Sequence, residues 1–440
     1  MPPEFPTVCV LGLGYIGLPT AALIAARGLK VVGVDVNPAV VATVSAGRVH
    51  IIEADLDGLV QNAVLTGALV ARTRPEPADV FVIAVPTPLS DAKKPVLDNV
   101  IAATRSIAPH LKSGDLVILE STSPVGTTAQ ISQILAASRP DLAFPASEAD
   151  GPDADIAIAY CPERVLPGRI LKELVDNDRC VGGLTPACTA KARRFYELFV
   201  RGECIETAAR TAEMVKLTEN AFRDTNIAFA NELSVICDSL DINVWELIEL
   251  ANRHPRVNIL KPGPGVGGHC IAVDPWFIVD AAPEEARLIR AAREVNDAKA
   301  DYVLDQVRAL IEAFPDRAVT CLGLAFKANI DDLRESPALE IVDKLARLYG
   351  GRVGVVEPFI EELPATLSGM GVKQLTLEEA LSQDGLLILL VDHDLFRKVT
   401  AEQRGDALVY DTRGIWREPS PSTVSLPQHL ASPQTGLALY

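Results

Sequence analysis

The sequence predicts an α/β chain in which two doubly wound, largely parallel sheet domains are joined by a central domain of long helices. Three observations carry this. Short apolar runs alternate with helical stretches towards both ends of the chain. The first run stops at a G-x-G-x-x-G, with an acid closing the next. No proline or glycine occurs between Gly202 and Pro255, where the pattern is helical.

The first unit is the most explicit. Thr7 to Leu11 reads as a strand, and Gly12, Gly14 and Gly17 follow with Tyr15 and Ile16 between them. Leu18 to Arg27 reads as a helix that tolerates Pro19 in its first turn. Val31 to Val34 is the next strand, ending in Asp35. The first glycine makes a tight turn, the second admits a pyrophosphate, and the third lets helix and strand approach. The helix N-terminus faces the anion. Asp35 would accept from a ribose 2′-hydroxyl and repel a 2′-phosphate, and no Arg stands beside it, so NAD is favoured over NADP. A Rossmann-like, NAD-binding domain over 1–205 is the expectation. Val80 to Val85 and Leu116 to Leu119 read as buried parallel strands, so Thr87 and Thr122 beyond their ends should line the cofactor cleft. For Thr122 a helix-capping role is compatible with that contact.

Ile156 to Tyr160 reads as a further strand leading to Cys161-Pro162-Glu163-Arg164-Val165. An acid and an arginine there are either a held polar site or a solvated turn. Thr207 to Ala251 reads as one long helix or a helix pair, within a central domain over 206–305. On it Lys216, Asn220, Arg223 and Asp224 share one face. Pro283 to Phe314 is helical again. Ala318 to Leu324, Arg352 to Val356, Leu386 to Val391 and Ala407 to Tyr410 then read as strands of a second Rossmann-like domain over 306–416. Residues 417–440, rich in Ser and Pro, read as a disordered tail.

Between the helical spans lies Pro262-Gly263-Pro264-Gly265-Val266-Gly267-Gly268-His269-Cys270, with Asp274 four residues further on. Glycines let backbone N–H groups approach a ligand, and a thiol at the exit of such a loop can attack what the loop holds. The alternative is an ordinary turn before a buried cysteine that acts as a small hydrophobe. His269 adjoins Cys270, but neighbours in extended chain point opposite ways, so it is not assigned as a base.

The net charge of −17 argues against nucleic acid as partner, while leaving room for one small anion in a local basic pocket. The N-terminus shows no secretory signal, and no apolar run approaches the roughly 20 residues that span a bilayer. Eight scattered cysteines without a C-x-x-C pair fit reduced thiols in a cytoplasm, and the six histidines show no metal-ligand spacing, so no metal is expected.

With these pieces in order, the chain resembles the UDP-glucose/GDP-mannose dehydrogenase family from about Val8 to Trp416. The motifs are GLGYIGLPTA at Gly12, STSPVGTT at Ser121, CPERVLPG at Cys161, KLTENAFRDTNIAFANE at Lys216, GPGVGGHCIAVDP at Gly263 and GLAFKANIDDLRESP at Gly323. Within the family, ERVLPG, ANRHPRVNIL and GGHCIAVDPWFIV look most like the branch that oxidises UDP-N-acetylmannosamine. The resemblance implies oxidation of the sugar C6 alcohol to a uronate for surface polysaccharide, with two hydrides passed to NAD in turn. UDP-N-acetylglucosamine is the alternative substrate, and UDP-glucose a more distant one. Taking an aldehyde on to an acid calls for a tetrahedral adduct that can lose hydride, which a thiolate supplies.

By this resemblance Cys270 is the nucleophile, and Lys216 an acid/base or oxyanion stabiliser. Asn220 shares the oxyanion role, Asp274 holds a water, and Glu163 is the candidate base for thioester hydrolysis. Cofactor contacts fall on Gly12, Gly14, Tyr15, Ile16, Gly17, Asp35, Thr87, Thr122 and, across a cleft, Arg334. Substrate contacts fall on Arg164, Val165, Lys216, Asn220, Arg223, Gly267, Phe326 and Lys327. His254 and Arg256 would reach in from a second subunit, and Arg413 would serve the uridine end. The resemblance also implies a homodimer or larger assembly through the central helices. Two other classes compete: a two-electron β-hydroxyacid dehydrogenase, which needs no loop cysteine, and a non-catalytic NAD-dependent sensor, which leaves Cys270 and Lys216 unexplained.

Overall fold

The computed structural model describes residues 4–51, 53–146, 154–166 and 168–416. The tail expected over 417–440 lies outside them. The chain divides into two compact units, Met1–Glu219 with Trp276–Pro283, and Asn220–Pro275 with Glu284–Tyr440.

The first unit is built on eight strands: β1 (Thr7–Leu11), β2 (Lys30–Val34), β3 (Leu69–Arg72), β4 (Val80–Ile83), β5 (Leu116–Leu119), β6 (Ala157–Tyr160), β7 (Arg179–Gly183) and β8 (Cys204–Ala208). Their order is β3-β2-β1-β4-β5-β6-β7-β8. The first six are parallel, β7 runs antiparallel to β6, and β8 is parallel to β7. β4 and β5 are buried along their whole length, which is why they read as unbroken apolar runs. The 3-2-1-4-5-6 order reverses between β1 and β4, and that switch point is where a doubly wound sheet holds its ligand.

The second unit carries a five-stranded parallel sheet: β9 (Val319–Leu322), β10 (Val353–Val356), β11 (Lys373–Gln374), β12 (Leu386–Leu389) and β13 (Leu408–Asp411). Their order, β11-β10-β9-β12-β13, repeats the winding of the first. The likeness extends to the loop after each first strand. Gly12 and Gly323 both have φ +93°, and each donates its N–H to the last residue of the neighbouring strand, Val34 or Val356. The next residue, Leu13 or Leu324, donates to the acid just beyond that strand, Asp35 or Glu357.

Several boundaries differ from the sequence reading. Thr207 and Ala208 belong to β8, and the long helix spans Ala209–Ser239. It breaks at Asp241, with φ +54°, before Asn243 caps a second helix, Val244–Ala251. The later helix starts at Arg287, not Pro283. Strands β3, β7, β8 and β11 escape the apolar-run criterion: they are short, or interrupted by charge and glycine. In the second unit the long helix exposes Phe222 (69 %), Phe229 (51 %) and Ile236 (45 %), spaced by seven and so along one stripe.

Candidate active site

In the first unit the three glycines differ in what surrounds them. A Cβ on Gly12 would lie 2.5 Å from the Ala84 carbonyl oxygen, and one on Gly17 only 1.8 Å from that of Gly12. A Cβ on Gly14 would meet nothing within 4 Å. The outer glycines thus serve close packing, and the middle one leaves open backbone at the first turn of the helix Gly17–Ala26. Tyr15 is exposed and Ile16 half-buried beside it. Asp35 accepts from Leu13 N–H at 3.0 Å and Asn37 N–H at 2.8 Å, one on each oxygen, so each oxygen keeps acceptor capacity for a ribose hydroxyl. These residues fit a dinucleotide.

Thr87 and Thr122 are brought together, the Thr87 hydroxyl donating to the Thr122 carbonyl at 2.6 Å. Thr122 does not cap the next helix, Thr127–Ser138, whose N-cap is Gly126. Glu213, reaching in from the long helix, takes that role by accepting from Gly126 N–H, Thr128 N–H and the Thr128 hydroxyl.

Glu163 and Arg164 form a held site rather than a solvated turn. Glu163 is buried and ion-paired with buried Arg179 at 2.9 Å, and its other oxygen accepts from Arg164 N–H. Arg164 pairs with Glu219 on the long helix at 2.7 Å, and Val165 packs on the core. A second acid, Glu120, lies in the same cluster and accepts from the Tyr196 hydroxyl at 2.6 Å. Burial pushes its carboxyl up from 4.5 to about 7, against the pull of Arg179. Between those values the folded chain binds more protons than the unfolded one. Stability from this group is therefore present at low pH and lost as pH rises through 7. Glu120→Gln should raise the unfolding free energy by about 3 kcal/mol at pH 8 and leave it nearly unchanged at pH 5. Equal denaturation curves at pH 8 would mean that Glu120 ionises normally.

In the second unit Cys270 is exposed while the other seven cysteines are buried, which removes the small-hydrophobe reading. Residues 269–273 form turns rather than extended chain, so the geometric reason given for setting His269 aside does not hold. The Cys270 carbonyl accepts from Val273 N–H at 3.1 Å and Asp274 N–H at 2.8 Å, which seats the cysteine against the first turn of the helix Asp274–Ala281. Asp274 is buried, and the Asn220 amide donates to it at 2.5 Å. Cys270, Asp274 and Asn220 are thus one connected group. Lys216 lies one turn before Asn220 on the same helix face, half-buried.

The glycines of the loop are equally specific. A Cβ on Gly267 would meet the Glu335 carbonyl at 2.3 Å and Phe326 at 2.9 Å, and one on Gly268 would meet the Phe326 ring at 2.8 Å. Gly268, at φ +84°, donates its N–H to the Arg334 carbonyl. One on Gly263 would lie 2.3 Å from an Arg413 nitrogen. Phe326 and Arg413 are therefore against the loop. Lys327 is exposed, and Arg334 is chelated by Asp332 through two nitrogens. His254 accepts from Arg256 N–H, and both are exposed, as is Arg223. Asp224 departs from the shared-face reading: it is fully buried and paired with Arg293.

Arg179, Glu213, Glu120 and Arg293 were not singled out from sequence. Arg179 opens a strand, and an arginine facing inward from β7 has no periodicity signature. Among the described residues no cluster of His, Cys, Asp and Glu could hold a metal ion, and no helix is long and apolar enough to cross a membrane.

Comparison with known proteins bears on this geometry. Residues 6–200 match the NAD binding domain of the UDP-glucose/GDP-mannose dehydrogenase family, 210–298 its central domain and 320–418 its UDP binding domain. The NDP-N-acetyl-D-galactosaminuronic acid dehydrogenase of Ralstonia nicotianae is 62 % identical over 94 % of this chain and 97 % of its own. The UDP-N-acetyl-D-mannosamine dehydrogenase of Escherichia coli K12 is 55 % identical over 94 % of this chain and all of its own. The solved UDP-D-ManNAc dehydrogenase of Pyrococcus horikoshii superposes with a TM-score of 0.83 at 38 % identity, covering 94 % of this chain and 96 % of that one. A G-x-G-x-x-G loop with open backbone at Gly14, a second sheet of the same winding and these matches lead to one assignment: the chain belongs to the UDP-glucose/GDP-mannose dehydrogenase family and is an NAD-dependent UDP-sugar dehydrogenase.

Proposed function

We propose that this enzyme carries out the four-electron oxidation of the C6 hydroxyl of a UDP-N-acetylhexosamine, first of all UDP-N-acetylmannosamine, to the uronate. The observation that carries the reading is the exposed Cys270 seated against Asp274, with Asn220 donating to Asp274. Gly12, Gly14, Tyr15, Ile16, Gly17, Asp35, Thr87 and Thr122 would hold NAD, which when bound would supply a hydride acceptor for each oxidation. The Cys270 thiolate adds to the C6 aldehyde to give a thiohemiacetal. Loss of hydride leaves a thioester, and water cleaves it to carboxylate and thiol. Lys216 and Asn220 stabilise the oxyanion, Asp274 holds the water, and Glu163 is the candidate base. Its pairing with Arg179 keeps that carboxyl oriented.

Arg164, Val165, Arg223, Gly267, Phe326 and Lys327 are proposed for sugar and diphosphate, Arg413 for the uridine end, and Arg334 for the cofactor. The same reading takes 1–205 as the cofactor domain, 206–305 as the central domain and 306–416 as the nucleotide-sugar domain. The Phe222, Phe229 and Ile236 stripe supports a dimer through the long helix, from which His254 and Arg256 would serve a second subunit. Scattered thiols, and the lack among the described residues of a helix long and apolar enough to span a membrane, are compatible with a cytoplasmic enzyme.

The manno configuration is supported by the loop wording and by the Escherichia coli relative. A galacto configuration is the second reading, favoured by the 62 % identical Ralstonia protein. A panel of UDP-N-acetylmannosamine, UDP-N-acetylgalactosamine, UDP-N-acetylglucosamine and UDP-glucose decides between them. The expected result is about two NADH per sugar, as the thioester chemistry requires, with the highest kcat/KM for the manno sugar. One NADH per sugar would sink the four-electron mechanism, and preference for another sugar would sink the manno assignment.

A further inference from the structure

In the second unit a chain of buried polar groups leads from the core to the glycine loop. Arg293 pairs with Asp224 at 2.6 Å, and neither side chain is more than 1 % exposed. The Asn296 amide donates to the same Asp224 oxygen at 2.8 Å and to the Asp224 carbonyl at 3.0 Å. Asn231 donates to the Asn296 oxygen at 2.8 Å. The Asn231 oxygen in turn accepts from Gly263 N–H at 2.8 Å. All four side chains are buried, and Gly263 opens the loop that ends at Cys270.

The chain has a direction. A carboxylate only accepts, so Asn296 must turn its NH₂ towards Asp224 and its oxygen outward. Asn231 must then present NH₂ to that oxygen and its own oxygen to the loop. Reversing either amide would set two acceptors or two donors face to face, at about 1–3 kcal/mol for each group left unsatisfied. Asn296 also lies under the loop: a Cβ on Gly265 would come within 3.3 Å of its carbonyl oxygen.

We propose that Asn231 and Asn296 are positioning residues for the Cys270 loop, holding its first peptide in register with Asp274 through the charge fixed at Asp224. This rests on the reading of Cys270 as nucleophile, and the test separates the two. Asn231→Ala removes both bonds. Asn231→Ser, the milder change, keeps a neutral hydroxyl that can both donate and accept, and guards against a variant that fails to fold.

Hydrogen exchange of the full-length variants reads the anchor without needing turnover. Amides from Gly263 to Val273 should exchange at least tenfold faster in Asn231→Ala, with β1 and β4 unchanged. kcat should fall tenfold or more while KM for NAD stays within twofold, and Asn231→Ser should fall between this variant and the native chain. Unchanged loop exchange, or faster exchange with native kcat, would overturn the proposal. So would exchange that rises equally in both sheets, which marks general destabilisation. Full turnover in Cys270→Ser would overturn the nucleophile reading alone, since the exchange result does not depend on it.

Discussion

Cys270→Ser is expected to lower net formation of the uronate by about 10⁴-fold or more, the scale on which loss of a nucleophile is felt. NAD affinity should remain near that of the native chain. The loss follows from the second oxidation, because the C6 aldehyde carries no hydride that leaves readily until a nucleophile has added to it. A cysteine sulfur is a far better nucleophile than a serine hydroxyl, so the adduct forms slowly in the variant. Residual chemistry should stop at the aldehyde, which stopped-flow absorbance would show as at most one NADH per enzyme-bound sugar. Mass spectrometry of the native enzyme quenched in turnover should find a thioester on Cys270. Since this cysteine is exposed, its replacement opens no cavity and the melting temperature should hardly move. Loss of NAD binding together with stability would mark Cys270 as structural.

The second large effect concerns stability. Arg293→Met should cost about 3–5 kcal/mol, because Asp224 then keeps its charge in the core without its cation. One Asp224 oxygen already has no hydrogen-bond partner, so little remains to soften the loss. Adding Asp224→Leu should restore most of it, since a buried ion pair exchanged for apolar side chains is often neutral. Denaturant unfolding of the single and double variants measures this directly. A double variant as unstable as the single would trace the loss to the packing of the arginine stem instead.

Legibility from sequence followed the range of the interactions. The cofactor loop was readable because its glycines, strand and acid lie within about 30 residues and each has a local reason. The glycines before Cys270 marked it as a candidate thiol, the structure leaves it exposed, and its seat on Asp274 is a local turn. Asp224 shows where such reasoning stops. Helical spacing puts it on the face of Asn220, but spacing gives direction and not depth, and Asp224 is sealed by an arginine 69 positions further on. Glu163 shows the same limit, because its partner Arg179 opens a strand that the apolar-run criterion missed. The break at Asp241 needed a left-handed residue that no proline or glycine announced.

The two matching loops, one after β1 and one after β9, differ in how much of the acid is spent. Asp35 receives one backbone donor on each oxygen and can still recognise a hydroxyl. Glu357 takes Leu324 N–H, Ala325 N–H and His393 on one oxygen and Phe359 N–H on the other, and is sealed from solvent. The same bracket is therefore a reader in the first unit and only a rivet in the second. Under the proposed function, recognition of the nucleotide in the second unit falls to loop side chains such as Phe326 and Lys327 and not to this acid. On that reading, one architecture, used twice, separates a fixed taste for the coenzyme from an adjustable taste for the sugar carrier.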